Sequence, residues 1–149
     1  MRAVIQRVAH AAVVVSDRTI GKIAHGFLIL LGIEHEDSHS DIDWLVKKIS
    51  SLRVFSDEEG KMNKNIQDIE GKILVVSQFT LHASTKKGNR PSFIKAARPS
   101  IAIPLYEKFV EELRNQSIEV ETGEFGADMK VELTNDGPVT IIMDSKQKE

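Results

Sequence analysis

The residues best suited to chemistry in this chain stand at the end of an apolar run. Ile73–Val76 is rich in β-branched residues, which is typical of a strand buried on both faces, and Ser77-Gln78-Phe79-Thr80 follows at once. Two hydroxyls and an amide at this point must find partners or serve a ligand, because an unpaired buried hydroxyl costs about 1–3 kcal/mol. A strand that leaves the core for a polar loop explains the same residues, so the motif needs support from elsewhere.

A second candidate element is the run TNDGPVT, residues Thr134–Thr140. Asn, Asp, Gly and Pro together are typical of a turn between two strands. Here, however, Pro138 follows Gly137 directly and leads straight into a β-branched run. A Gly-Pro bond adopts the cis form at a cost of about 0.5–1 kcal/mol, and a cis bond would aim the adjacent carbonyls in an unusual direction. The sequence permits this form without requiring it.

Positive charge is concentrated in one stretch of the chain. The formal net charge is −2, yet no Asp or Glu lies between Gly71 and Tyr106. A local basic stretch on an otherwise acidic protein indicates one anionic partner bound in one place. General coating of nucleic acid usually needs a whole basic domain. A solvated loop with ordinary lysines is the alternative. The stretch carries +6, which leaves −8 for the remainder, and its basic residues are Lys72, Lys86, Lys87, Arg90, Lys95 and Arg98.

Other kinds of chemistry find little support. The chain has no cysteine, which excludes disulfides, thiolate nucleophiles and cysteine metal sites. His35 and His39 are four residues apart, a spacing that can bind zinc on a helix. They lie in a stretch that leads towards a helix cap at Ser38 or Ser40, with no third ligand evident. We therefore expect no metal site and no cofactor.

The elements that must position these residues begin with strands. Ser16-Asp17-Arg18 is a turn-forming cluster and predicts a hairpin. Apolar residues at helical spacing predict a helix from Asp41 to about Arg53. The predicted strands of this N-terminal half are Arg2–Val8, His10–Val15, Thr19–Ala24 and Phe27–Ile33.

The C-terminal half is predicted to alternate in the same way. A helix over Ile101–Asn115 is expected, with Pro104 tolerated only in its first turn. Ser145–Glu149 is expected to fray. The whole is an α+β fold, an antiparallel-rich sheet or barrel with two main helices packed on it. Its remaining predicted parts are a loop at Met62–Ile69, the central stretch Ile73–Leu81 with a strand over Ile73–Val76, and strands at Ile118–Thr122, Lys130–Leu133 and Val139–Met143.

Length and composition are those of a globular protein. The chain has 149 residues, of which 41% are hydrophobic and 28% charged, as expected of one domain with its own core. No apolar run approaches the roughly 20 residues of a membrane span. The opening residues alternate like a strand and lack the apolar centre of a signal peptide. We expect one domain over residues 1–149, a cytoplasmic location and no membrane partner.

Four stretches show that the chain closely resembles the D-aminoacyl-tRNA deacylases. The likeness extends over essentially the whole chain, and SQFTL together with NDGPVT at this separation is specific. A related animal branch carries PQATL in place of SQFTL. His82-Ala83-Ser84 departs from the Tyr-Ala or Tyr-Gly that often follows this motif in relatives. The matching stretches are AVIQRV (Ala3–Val8), SQFTL (Ser77–Leu81), GNRPSF (Gly88–Phe93) and NDGPVT (Asn135–Thr140).

The resemblance implies an enzyme that hydrolyses the ester between a D-amino acid and the terminal adenosine of tRNA. It implies a homodimer with active sites at the subunit interface, where Gly137 and Pro138 reach into the partner's pocket and Arg7 helps to hold them. Rejection of L-aminoacyl-tRNA and some hydrolysis of glycyl-tRNA are expected. The catalytic residues would be Ser77, Gln78, Phe79 and Thr80, and those that contact acceptor-stem phosphates would be Lys86, Lys87 and Arg90.

Two mechanisms are open for such a site. In one, Thr80 is a nucleophile, although the sequence supplies no base for it except His82, two residues away. In the other, backbone N–H groups around Gln78 and Phe79 stabilise the oxyanion while the ribose 2′-hydroxyl assists water. We favour the second mechanism, because it needs no activated side chain.

Two other classes of function compete with this interpretation. A non-catalytic RNA-binding module would explain the basic stretch, but not the Gly-Pro element. The chain also has only one Trp and one Tyr, whereas stacking modules carry aromatic clusters. A hydrolase of free small D-amino-acid esters would not need the basic stretch.

Overall fold

In the computed structural model, which describes residues 1–148, the centre of the fold is a long N-terminal strand, β1, that pairs with three others. The main sheet has six strands in the order β2-β1-β3-β6-β7, with β8 also paired to β1. The strands and helices are β1 (Arg2–Val15), β2 (Arg18–Ile23), β3 (Gly26–Gly32), α1 (His39–Ser50), β4 (Phe55–Ser56), β5 (Met62–Lys64), β6 (Lys72–Ser77), a 3₁₀ turn (Phe79–His82), α2 (Pro99–Asn115), β7 (Val120–Thr122) and β8 (Lys130–Asp144).

The two halves of strand β1 pair with different neighbouring strands. Its first half lies between β3 and β8, and its second half lies between β2 and β8, with all three pairings antiparallel. Strands β3, β6 and β7 pair in parallel, so the sheet is mixed. The sheet curls until β2 meets β7, where a Cβ built on Gly21 would lie 2.6 Å from the Thr122 carbonyl oxygen. The prediction of an antiparallel-rich sheet or barrel with two main helices is confirmed.

Two apolar clusters hold the sheet, one on each face. The larger joins inward residues of β1, β3 and β6 to the buried sides of α1 and α2, and it includes Phe27, Phe55 and Phe109. The smaller fills the space enclosed by the curled sheet and includes Val8, Leu28 and Leu74. Because neighbouring residues of a strand point to opposite faces, the apolar runs of β3 and β6 supply both clusters. These strands are therefore the most firmly fixed support for the residues that follow β6.

Both helices begin two residues before their predicted starts, at His39 and Pro99. The Ser38 amide donates to the Asp41 carboxylate at 2.8 Å before α1, which satisfies an amide that has no acceptor within the helix. Pro99 occupies the first turn of α2, where its missing N–H costs nothing. The Tyr106 hydroxyl donates to the Val75 carbonyl at 2.8 Å, which ties α2 to β6.

Pro104 lies deeper in α2 than predicted. The helix starts at Pro99 and continues through Pro104 to Asn115, so the expectation that Pro104 would lie in the first turn is wrong. A proline here removes the donor for the Ser100 carbonyl. Both residues are exposed, and water can therefore serve that carbonyl.

Several strand boundaries differ from those predicted. Arg2–Val8 and His10–Val15 are one strand, and Lys130–Leu133 and Val139–Met143 are parts of the single strand β8. Strand β1 pairs with the chain on both sides of the turn-forming residues, so these residues do not separate two strands. The central strand stops at Ser77 and gives way to the 3₁₀ turn. The stretch predicted as a loop after Lys61 begins with the short strand β5, paired to β4.

The start of the C-terminal tail is packed, contrary to the expectation of fraying. Ser145 is buried, and its hydroxyl donates to Asp41 Oδ1 at 2.7 Å. The Lys146 ammonium donates to Asp41 Oδ2 at 3.0 Å. These bonds hold both residues against the start of α1, so the expectation is wrong for them, while Glu149 lies outside the described residues.

Within residues 1–148, neither helix combines the length and the apolar character needed to cross a membrane.

Candidate active site

The motif Ser77–Thr80 lies at the carboxyl end of β6, where the strand turns away from the sheet. Ser77 pairs with Leu31 of β3, and the backbone N–H of Gln78 donates to the Leu31 carbonyl at 2.8 Å. The 3₁₀ turn begins at the next residue. The first amides of such a turn have no acceptor within it, so those of Phe79 and Thr80 are available to a ligand. The backbone N–H of Gln78 already donates to Leu31, so of the N–H groups around Gln78 and Phe79 those of Phe79 and Thr80 remain as candidate oxyanion donors.

The side chains of the motif also pair with one another. The Gln78 amide nitrogen donates to Thr80 Oγ1 at 2.5 Å, and within the described chain no basic side chain hydrogen-bonds this hydroxyl. Phe79 is 56% exposed, which is unusual for a large apolar residue next to a buried strand. The arrangement offers backbone donors and one amide–hydroxyl pair, rather than a nucleophile with its base.

Within residues 1–148, His82 makes no hydrogen bond to Thr80. Its ring is buried, neither ring nitrogen has a hydrogen-bond partner within residues 1–148, and the nearest carboxylate is Glu34, 3.9 Å from Nδ1. A catalytic base must lie within hydrogen-bond reach of the proton that it removes. The location of His82 therefore counts against the nucleophile mechanism.

A groove of about 300 Å³ opens beside the motif. Ser77, Gln78 and Phe79 form one wall, apolar residues such as Val76 form the floor, and the loop 125–129 forms the facing wall. Asp128 is the one acidic side chain among the lining residues of the described chain. The groove is therefore an apolar recess with polar groups on one rim, as in many small-ligand sites.

The second motif forms a bulge on β8. Gln6 pairs with Thr140, and Val8 pairs with Asn135. Two residue steps along β1 therefore lie opposite five residue steps along β8, and the additional residues of β8 protrude. The Gly137–Pro138 peptide bond is cis, a form that the sequence permits. Both residues are exposed. The bulge presents backbone at the surface of the sheet.

Arg7 and Asn135 hold this bulge from beneath. Arg7 is buried and donates from Nε to the Asp136 carbonyl at 2.9 Å, and it also contacts the Val54 carbonyl. The Asn135 amide donates to the carbonyls of Arg7 and Val139 at 3.0 and 3.2 Å. The predicted nearness of Arg7 to the Gly-Pro element is thus observed. The contacts that Asn135 and Asp136 make with Arg7 were not predicted, although both residues directly precede Gly137-Pro138 in the sequence.

One chain does not bring the two motifs together. Arg7 pairs with Phe27 at one end of β3, whereas Ser77 pairs with Leu31 near the other end. The four residue steps from Phe27 to Leu31 span roughly 13 Å at about 3.3 Å per residue. Neither Gly137 nor Pro138 lines the groove beside Ser77. If both motifs serve one site, a second chain must supply one of them.

The predicted phosphate-binding residues lie on a loop beside the groove. Backbone bonds between Ser84 and Ser92, at 2.8 and 2.9 Å, close this loop. Lys86, Lys87 and Arg90 lie on it and are exposed, and no salt bridge involves them within residues 1–148. Their positive charge is available to an anionic partner.

Lys72 lies at the opposite end of β6 and pairs with Glu119 at 2.6 Å. It does not belong to the same surface, although it belongs to the same acid-free stretch of sequence.

Two parts of the site carried no recognisable signal in the sequence. One is the facing wall of the groove, formed by residues 125–129. The other is the contact between Phe79 and Phe93, whose ring centroids are 5.2 Å apart. Both depend on distant segments meeting in the fold. No group of three or more His, Asp or Glu residues suited to a metal ion occurs in the described part of the chain, and the exposed pair His35 and His39 gains no third ligand.

Comparisons with known proteins identify one family. Residues 4–144 match the family model described as D-Tyr-tRNA(Tyr) deacylase. A D-aminoacyl-tRNA deacylase of Bacteroides fragilis (strain YCH46) is 64% identical, with all of both chains covered. One of Fusobacterium nucleatum subsp. nucleatum is 59% identical over 98% of this chain and 97% of that protein.

Solved structures extend the comparison to the fold. One described as c-Myc DNA Unwinding Element Binding Protein is 43% identical, with a TM-score of 0.90, over 97% of this chain and 98% of that one. A structure of a probable eukaryotic D-amino acid tRNA deacylase has a TM-score of 0.81 at 16% identity, over 95% and 97% of the two chains, and this likeness concerns the fold.

Proposed function

From the premise that this chain belongs to the D-Tyr-tRNA(Tyr) deacylase family and is a D-aminoacyl-tRNA deacylase, we propose that it releases D-amino acids and glycine from tRNA and rejects L-aminoacyl-tRNA. The proposed active enzyme is a homodimer, in which Gly137 and Pro138 of each subunit border the groove of the other. The observation that carries this proposal is the placement of the two motifs at opposite ends of β3. We also assign the enzyme to the cytoplasm and all 149 residues to one domain.

An exposed apolar strip supports the dimer. Ile142 of β8 is 73% exposed and pairs with Val4 of β1. A hollow of about 430 Å³ beside them is also lined by Trp44 and Leu81. Such apolar surface on the outer face of a sheet is typical of a surface that another chain covers, and a second copy of this chain would cover it symmetrically. We therefore place the dimer contact on β1 and β8.

The proposed reaction is ester hydrolysis without a covalent intermediate. A water oxygen attacks the ester carbonyl carbon, assisted by the ribose 2′-hydroxyl, and the 3′-oxygen departs with a proton. The carbonyl oxygen gains negative charge in the transition state, and the amides of Phe79 and Thr80 donate to it. Fixed donors aimed at a developing oxyanion are often the largest single contribution to catalysis. Ser77 and Gln78 shape the wall against which the adenosine lies.

The proposed basis of chirality is exclusion. The amino group, the carbonyl and the ribose are shared by both enantiomers, so attraction discriminates poorly between them, whereas an obstacle on one side discriminates well. Backbone carbonyls of the bulge suit this task, because Arg7 and Asn135 fix them and an apolar group pressed against them would leave them unpaired. Glycine has no side chain to exclude, so glycyl-tRNA is accepted.

A single-turnover deacylation assay tests the proposal. Purified protein is mixed with tRNA charged with D-tyrosine, L-tyrosine or glycine, and release of the amino acid is followed. We expect hydrolysis of the D-tyrosyl and glycyl esters only. A nucleic-acid-binding module would hydrolyse none of the three, and a small-ester hydrolase would cleave free D-tyrosine esters but ignore the tRNA.

The dimer is tested separately by Ile142→Lys. We expect a monomer in sedimentation velocity and loss of deacylation, because each groove loses the partner's Gly137 and Pro138. Ile20→Lys, at an exposed position on β2, is the matched control and should remain dimeric and active. A monomeric Ile142→Lys protein with full activity would refute completion of the site by the partner.

A further inference from the structure

An aromatic pair is exposed beside the proposed active site. The rings of Phe79 and Phe93 meet edge to face, with centroids 5.2 Å apart and planes at 74°. Phe79 is 56% exposed and Phe93 37% exposed. Ile94, the next residue, is 86% exposed. A cluster of large apolar side chains left in water indicates a surface that another molecule covers.

The pair is held in place by the backbone around it. Phe79 begins the 3₁₀ turn that follows β6. Phe93 follows Ser92, whose backbone exchanges two hydrogen bonds with Ser84, and the Ala97 amide then donates to the Ile33 carbonyl at 2.9 Å. Anchors on both sides of Phe93 keep it against Phe79. The aromatic surface is thus a fixed feature of the groove's rim.

The charge around the pair indicates the chemistry of its ligand. Lys86, Lys87 and Arg90 precede Phe93, while Lys95 and Arg98 follow it. None of these five residues forms a salt bridge within the described chain. Aromatic rings set among unpaired cations suit single-stranded nucleic acid, whose bases stack on the rings while the phosphates lie near the cations. An apolar protein surface would leave these cations without partners.

We propose that Phe79 and Phe93 form a stacking surface for the unpaired base that directly precedes the terminal adenosine of the tRNA. The inference rests on the proposed function, since it takes the esterified adenosine to lie in the groove beside Ser77–Thr80. The Phe79 backbone faces the ester, and its side chain, at the rim, meets the next nucleotide. The pair thus lets the enzyme distinguish a tRNA end from a free aminoacyl nucleoside.

Two synthetic substrates test the proposal: the D-tyrosyl ester of adenosine and the D-tyrosyl ester of the trinucleotide cytidine-cytidine-adenosine. The quantity measured is the ratio of kcat/KM for the trinucleotide to kcat/KM for the nucleoside. Phe93→Ala should lower this ratio about tenfold, as expected for loss of one base–aromatic stack. Phe93→Trp should preserve the ratio. Phe93→Leu keeps apolar volume without an aromatic ring and should lower it. Ile20→Ala, at an exposed apolar site elsewhere, is the control.

A trinucleotide with an abasic residue before the adenosine completes the test. For wild-type enzyme, the ratio of kcat/KM for the abasic trinucleotide to kcat/KM for the nucleoside should equal the ratio that Phe93→Ala shows with the normal trinucleotide. An unchanged ratio in Phe93→Ala would overturn the proposal. So would a wild-type ratio for the abasic trinucleotide as high as the ratio for the normal trinucleotide. So would conversion of Phe93→Ala to a monomer in sedimentation velocity, since the surface would then belong to the dimer contact. Failure of wild-type protein to cleave both normal esters and D-tyrosyl-tRNA would instead refute the proposed hydrolysis.

Discussion

The Arg7 guanidinium binds Asp136 twice, with Nε 2.9 Å from the backbone carbonyl and 3.0 Å from carboxylate Oδ2. A buried residue of β1 thus fixes the residue that leads into Gly137–Pro138. Arg7→Lys keeps the charge, but one ammonium cannot reproduce the planar fork that also reaches the Val54 carbonyl. We expect about a tenfold loss of kcat/KM for D-tyrosyl-tRNA, and a loss of about 1–3 kcal/mol of unfolding free energy from the unpaired carbonyl.

The check on Arg7→Lys is steady-state deacylation together with urea unfolding. Arg18→Lys, at an exposed position, is the matched control and should change neither quantity. Wild-type activity in Arg7→Lys would show that the bulge needs no support from the Arg7 guanidinium.

Gly137 leaves no room for a side chain. A Cβ built there would lie 2.5 Å from Asn135 Oδ1, and the same Asn135 side chain bridges the carbonyls of Arg7 and Val139. Gly137→Ala should displace Asn135 and loosen the bulge, so hydrolysis of D-tyrosyl-tRNA should fall while the relative rate on L-tyrosyl-tRNA rises. A double-mutant cycle with Asn135→Ala measures the coupling. If the effects of Gly137→Ala and Asn135→Ala on the rate are additive, the Gly137 substitution does not act through displacement of Asn135.

Thr80 is predicted to position rather than to react. Its hydroxyl accepts a hydrogen bond from Gln78, and no base adjoins it within the described residues. Thr80→Ala should retain activity within about tenfold of wild type, whereas a 2′-deoxy terminal adenosine should cost about a hundredfold or more, the usual scale of general acid–base assistance. Single-turnover rates on both substrates decide between the mechanisms. An inactive Thr80→Ala enzyme that still cleaves the deoxy substrate would restore the nucleophile.

Lys86 and Lys87 are predicted to contact phosphates of the acceptor stem. The double substitution to Ala should weaken tRNA binding and lower the slope of log affinity against log salt by about 2, roughly one unit per lost contact. The rate at saturating substrate should change little. Binding titrations between low and moderate salt measure the slope. Lys47→Ala with Lys48→Ala, two exposed lysines of α1, is the control, and equal slopes in both double variants would refute the assignment.

Asp41 links stability to pH. Burial by itself raises the pKa of Asp41, but hydrogen bonds from Ser145, Lys146 and Ser38 outweigh it and hold the pKa well below its ordinary value. A lowered folded-state pKa stabilises the fold above the unfolded-state pKa of about 4, and this contribution disappears as pH falls towards the folded-state pKa. Urea unfolding at pH 7 and below pH 4 should therefore show acid destabilisation of the wild type.

Asp41→Asn should be less stable than wild type at pH 7 and should lose less stability in acid. Asp43→Asn removes an exposed carboxylate from the same helix without removing a hydrogen bond and should keep the wild-type stability at pH 7. An Asp41→Asn protein with the acid dependence of the wild type would exclude this carboxylate as its source.

Local chemistry predicted several parts of the molecule correctly. The β-branched run before Ser77 predicted the buried strand, and the polar residues after it predicted the strand's end as a candidate site. Apolar spacing predicted α1 and α2 to within a few residues at each end. These features depend on residues that are neighbours in sequence, where side-chain type, periodicity and capping act directly on the backbone.

Pairing between distant residues decided the rest. Turn-forming residues at Asn135–Pro138 predicted a chain reversal, but β1 pairs with the chain on both sides of them, so the segment became a bulge in one strand. The same register of β1 and β3 set Gly137 and Ser77 far apart, and closure of a loop brought Phe93 onto Phe79. Local sequence constrains each residue's own backbone. The register of strands and the closure of loops depend on free energy summed over the whole sheet, so only the tertiary structure determined which motifs meet.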